Sequence, residues 1–161
     1  MKASILDGKR ILAVDDETDV LEVLEEEIIG ACPNCKIDKA TTYKEAAEMM
    51  VSRDYEVVIL DIMGVQGFDL LKLAVNRNFP VAMLTAHALS PEALQRSFEM
   101  KARSYIPKEK LGEIVPFLED LLKYDYFPTW KRLFEKLKGF FDARFGADWQ
   151  EKTGLRWEEW K

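Results

Sequence analysis

Five polar residues each close a short apolar run. Asp15 and Asp16 end Arg10-Ile11-Leu12-Ala13-Val14, and Asp61 ends Val57-Val58-Ile59-Leu60. Thr85 ends Val81-Ala82-Met83-Leu84, and Lys108 follows Tyr105-Ile106-Pro107. Three carboxylates, a hydroxyl and an ammonium form a set suited to a divalent cation and a phosphoryl group. Adjacent carboxylates repel and are easiest to keep ionised beside a cation. An oxygen-rich, strongly negative site favours Mg²⁺, or Mn²⁺ with the same donors, bridging to phosphate oxygens. Lys108 supplies positive charge, Thr85 a hydroxyl donor, and Asp61 a carboxylate able to form an aspartyl-phosphate. The remaining catalysis would be alignment and charge neutralisation.

This chemistry requires elements that bring the five residues together. Short apolar runs bounded by turn residues read as buried strands, and apolar residues at helical spacing read as the helices between them. Strands are expected at residues 10–15, 35–40, 56–61, after Pro80, and at 103–107. Helices are expected at 18–29, from a Thr42 cap with Glu45 three residues on, from the Gly64–Gly67 turn to about Asn76, from Ser90-Pro91-Glu92, and at 110–123. Five strand–helix repeats indicate an α/β fold, a doubly wound five-stranded parallel sheet with helices on both faces. In such a sheet the carboxyl ends of the strands gather at one edge, where ligands bind. Glu17, beside the acidic pair, reads as the start of the first helix.

The chain of 161 residues, 48% hydrophobic and 32% charged, is long enough for one domain with a full core plus an appendage. A net charge of −6 argues against nonspecific nucleic-acid binding. The first nine residues lack the apolar core of a signal peptide, and no segment is long enough to span a bilayer, so a cytoplasmic location is expected. Cys32-Pro33-Asn34-Cys35 holds both cysteines; with only one histidine in the chain, they read as reduced thiols in a helix-to-strand turn rather than a zinc or redox site. Met49-Met50 and Phe98-Met100 read as core packing.

The ordered motifs carry a resemblance. Ile11-Leu12-Ala13-Val14-Asp15-Asp16-Glu17, Val58-Ile59-Leu60-Asp61-Ile62-Met63, Met83-Leu84-Thr85-Ala86-His87 and Tyr105-Ile106-Pro107-Lys108 resemble, in order and spacing, the receiver domain of two-component response regulators, over residues 9–123. The resemblance implies a flavodoxin-like receiver fold and a phosphorylation switch that is not itself an enzyme, beyond at most slow autophosphatase activity. Asp61 would accept a phosphoryl group from a sensor histidine kinase or phosphotransfer protein. Asp15, Asp16, Asp61 and the Met63 carbonyl would hold Mg²⁺. Thr85 and Lys108 would contact the phosphoryl group, with Thr85 and Tyr105 as the switch pair acting on the surface of helix four, strand five and helix five. Met63 and His87 would tune hydrolysis at the rim, although an exposed histidine without a role is an equal reading of His87.

Three departures stand against the family pattern. Gly64-Val65-Gln66-Gly67 makes the loop after Asp61 about two residues shorter. Pro107 precedes Lys108, and Glu109 stands where the family usually has proline in a cis bond; a trans bond and some displacement of Lys108 are expected. Lys101-Ala102 replaces the usual Gly-Ala before strand five. A scaffold that is never phosphorylated, a pseudo-receiver, is the alternative. A phosphohydrolase is disfavoured, because Met63 stands where such enzymes usually carry a second acid.

Residues 124–161 form a separate aromatic-rich segment containing all four tryptophans. Eight basic and seven acidic residues give it +1, leaving −7 on residues 1–123. Phe127, Trp130, Phe134, Leu137 and Phe141 recur at helical spacing. That stripe is expected to pack on the receiver, pair with a second copy, or bind a partner protein; a membrane surface is the alternative. The segment is too short and too weakly basic for a helix-turn-helix, so direct DNA binding is not expected.

Overall fold

Runs apolar on every residue must be buried on both faces, and three of the strands here meet that demand. The computed structural model describes residues 4–86 and 89–160. β1 (Arg10–Val14), β2 (Lys36–Ala40), β3 (Val57–Asp61), β4 (Val81–Thr85) and β5 (Ser104–Pro107) form one sheet in the order β2-β1-β3-β4-β5, with every pairing parallel. Its register pairs Val14 with Leu60, Asp61 with Leu84, and Thr85 with Pro107. The strands therefore finish at one edge. β3 and β4 are buried throughout; β2, the mixed Lys-Ile-Asp-Lys-Ala, is an open edge blunted by its lysines.

The connecting helices are α1 (Thr18–Ala31), α2 (Tyr43–Ser52), α3 (Gly67–Asn76), α4 (Pro91–Glu99) and α5 (Ile114–Lys123). α1 packs with α5, and α2 with α3. Thr42 Oγ1 accepts from the Glu45 N–H at 3.2 Å, and Ser90 Oγ from Ala93 N–H at 3.1 Å, so both caps sit where the sequence places them. The expected helix at 110–123 begins later. Residues Lys108–Glu113 form a 3₁₀ helix, and α5 starts at Ile114. Pro116 explains the delay: it lacks the N–H that an α-helix begun at 110 would need there, whereas near the start of α5 no such bond is required.

Cys32 and Cys35 are free and buried in the turn between α1 and β2, where the Cys35 thiol donates to the Leu6 carbonyl at 2.8 Å. Burial, reinforced by Cys32, pushes the Cys35 thiol up to about 11, far from a reactive thiolate.

The C-terminal segment adds α6 (Tyr126–Phe145), α7 (Trp149–Thr153) and a 3₁₀ turn at Trp157–Glu159. α6, about 30 Å long, lies along β5 and α5, while α7 packs on α4. β5 is thereby buried along its whole length although it is an edge strand. Trp130, Phe134, Phe141 and Trp149 are fully buried, each contributing roughly 1.5–3 kcal/mol. Trp130 Nε1 donates to the Ala102 carbonyl at 2.9 Å, the Tyr126 hydroxyl donates to the Phe98 carbonyl, and Asp120 of α5 pairs with Arg132 and Lys136. The helix is an integral layer of the fold, and its stripe faces protein. One residue departs from the stripe: Phe127 is 54% exposed, at the end of α6 beside Phe98, Tyr126 and Trp160, while Leu133, outside the expected set, is buried. Among the described residues no helix is long and apolar enough to cross a membrane.

Candidate functional site

The site lies at the carboxyl edge of the sheet. Asp15 continues β1: its N–H donates to the Ala40 carbonyl at 3.1 Å, its Oδ1 accepts from the Glu17 N–H at 2.9 Å, and its side chain is fully buried. Asp61, the last residue of β3, is 4% exposed. Asp16 is exposed beside them. One carboxylate oxygen from each of Asp15, Asp16 and Asp61 falls within 4.8 Å of the others. Met63 and Gly64 lie in the turn after β3. A Cβ at Gly64 would stand 2.6 Å from the Asp16 carboxylate, and φ is +86° there, so the turn needs glycine to pass this close. A Cβ at Gly67 would meet the Asp61 carbonyl oxygen at 2.2 Å, so the first residue of α3 must also be glycine for the short loop to close.

Lys108 reaches into this cluster. Its Nζ lies 3.0 Å from Asp15 Oδ2, 2.9 Å from Glu17 Oε1 and 3.4 Å from Asp61 Oδ1. No peptide bond among the described residues is cis, as expected for Lys108–Glu109. The 3₁₀ helix that starts at Lys108 carries the chain onward without a proline. Glu17 sits at the N-cap position of α1, yet its side chain makes no cap bond and goes to Lys108 instead. Glu17 thus belongs to the site as well as to the helix start, and its mark in the sequence is a third acid directly after the Asp15–Asp16 pair.

Thr85 ends β4, buried, one strand over from Asp61. Tyr105 is fully buried on β5; its hydroxyl accepts from the Ser90 N–H at 3.2 Å, tying β5 to the cap of α4, and burial pushes the phenol upward. His87 lies outside the described residues.

The electrostatics are frustrated. Burial, with the charge of Asp15 next and Lys108 opposing, pushes Asp61 up to about 7. Burial also raises Asp15. For Lys108, burial works against the charge, but Glu17, Asp15 and Asp61 outweigh it and hold the ammonium protonated. One ammonium among four carboxylates leaves the site short of positive charge. Asp15 Oδ2 is buried with the Lys108 ammonium 3.0 Å away. An all-oxygen donor set of three clustered carboxylates, short of positive charge, fits Mg²⁺ or Mn²⁺.

Against known proteins, residues 11–118 match the response regulator receiver domain family. An 87-residue stretch is 36% identical to the two-component response regulator ARR18 of Arabidopsis thaliana, covering 50% of this chain and 13% of that protein. The chain thus spans about an eighth of that relative's length. The fold is that of a CheY-like receiver domain protein from Methanospirillum hungatei (TM-score 0.58, 24% identity, 71% of this chain and 97% of that one). It is also that of the NtrX receiver domain from Brucella abortus (TM-score 0.63, 24% identity, 71% and 99%).

Proposed function

This chain belongs to the response regulator receiver domain family, and on that premise we propose that it is a phosphorylation switch whose acceptor is Asp61. A carboxylate oxygen of Asp61 attacks the phosphorus of a phosphohistidine on a histidine kinase or phosphotransfer protein. The new O–P bond forms as the P–N bond breaks, and the imidazole leaves. Lys108 neutralises a phosphoryl oxygen and the Thr85 hydroxyl donates to another. Asp15, Asp16 and Asp61, with the Met63 carbonyl, would hold Mg²⁺, which when bound supplies the positive charge that the site lacks. The protein is a phosphoryl acceptor with at most slow autophosphatase activity, acting in the cytoplasm through protein contacts.

The observation that carries this reading is the placement of buried Asp61 within reach of two further carboxylates and 3.4 Å from Lys108 Nζ. The test is the intact mass of the full chain after incubation with Mg²⁺ and acetyl phosphate. Gain of one phosphoryl group, absent in Asp61→Ala, supports it; no gain contradicts it. That second result would favour the pseudo-receiver, for which the engagement of Lys108 by Glu17 at 2.9 Å argues.

A further inference from the structure

Glu109, which replaces the proline that follows the lysine in this family, has a partner far along the chain. Its Oε2 is paired with Nη2 of Arg144, 35 residues away in the last turn of α6, at 2.5 Å. The Arg144 guanidinium also lies over the Phe140 ring, 4.9 Å from its centroid, which narrows its freedom. The backbone immediately after Lys108 is therefore tied to the extension. A second tie lies one turn earlier in α6. Phe141, fully buried, sets its ring 6.2 Å from that of Tyr105, which in turn holds the cap of α4. The four fully buried aromatics of the extension keep it docked, so a change at the sheet edge reaches α6 as a shift of a packed element rather than as release of an arm.

Resting on the phosphorylation reading above, we propose that Glu109 and Arg144 are positioning residues: they fix the backbone that carries Lys108 and connect the phosphoryl site to the extension, which reads its state. Every tryptophan lies in that extension, at 130, 149, 157 and 160, so tryptophan emission reports on it.

The experiment uses the full chain, following tryptophan emission on addition of Mg²⁺ and beryllofluoride, and phosphorylation by acetyl phosphate through intact mass. Wild type shows an emission change that Asp61→Ala lacks. Arg144→Ala is phosphorylated about two- to five-fold more slowly, the range an exposed ion pair can carry, and its emission response is reduced. It still binds Mg²⁺ in calorimetric titration, since the three aspartates are untouched, which separates positioning from loss of the fold. Glu109→Gln reproduces the effect from the other side, and Arg144→Lys retains most of the response. Phosphorylation of wild type with silent tryptophans, or variants matching wild type in both rate and emission, overturns the coupling and leaves the phosphorylation reading intact. Absence of any phosphoryl gain in wild type overturns both.

Discussion

Lys108 Nζ lies nearer to Glu17, at 2.9 Å, than to Asp61, at 3.4 Å. The cation that would receive the phosphoryl group is held at rest by a glutamate on the rim, and Glu17 competes with the incoming group for it. Glu17→Gln removes the competing charge and lessens repulsion of an anionic donor. Phosphorylation by acetyl phosphate should rise about two- to five-fold, as expected for a half-exposed ion pair. Intact-mass time courses measure this, and an unchanged or slower rate contradicts it.

The raised Asp61 carboxyl makes a prediction about stability. A carboxyl whose folded value, about 7, exceeds its usual 3.8 binds its proton more tightly in the folded state. It therefore contributes stability at acid pH that is lost as pH rises through 7. In chelator, Asp61→Asn should remove this loss and be more stable than wild type at pH 7.5 by ~1–3 kcal/mol. Mg²⁺ should stabilise wild type more than the variant. Urea unfolding across pH, with and without Mg²⁺, reads both effects.

The short loop after β3 rests on glycine. Gly67→Ala should cost about 2–3 kcal/mol or more, because its Cβ would strike the Asp61 carbonyl and the neighbouring backbone. Gly139→Ala is the control: nothing lies within 4 Å of a Cβ there, in the middle of α6. It should stabilise by about 0.5–1 kcal/mol. Thermal melts of the two variants should move in opposite directions.

The extension buries β5 and much of α5. Deleting residues 125–161 should expose that surface and change the oligomeric state or solubility more than it changes phosphorylation. Identical sedimentation with and without the segment refutes this.

The strand-end residues were legible because a parallel sheet brings the ends of its strands to one edge, and continuous apolar runs reveal which strands are internal. Asp15, Asp16, Asp61 and Lys108 could be grouped on that ground alone. Glu17 was not, since an acid opening a helix satisfies the local pattern and only the three-dimensional path of Lys108 gives it a second partner. The helical stripe in α6 was legible as a stripe, but periodicity does not name the surface that receives it; that surface is β5 with α5, and Phe127 overhangs its end. The late start of α5 followed from Pro116, a residue the sequence displayed but the helical spacing around it masked. The Arg144–Glu109 pair carried no sequence signal beyond a missing proline.

The central claim, that Asp61 carries the phosphoryl group, is tested most directly by chemical trapping. The full chain is incubated with Mg²⁺ and acetyl phosphate, then reduced with borohydride, which converts an aspartyl-phosphate to homoserine, and mapped by peptide mass. Homoserine is expected at position 61, present with Mg²⁺ and absent in chelator. Unreduced aspartate at 61, or homoserine at 15 or 16 instead, contradicts it.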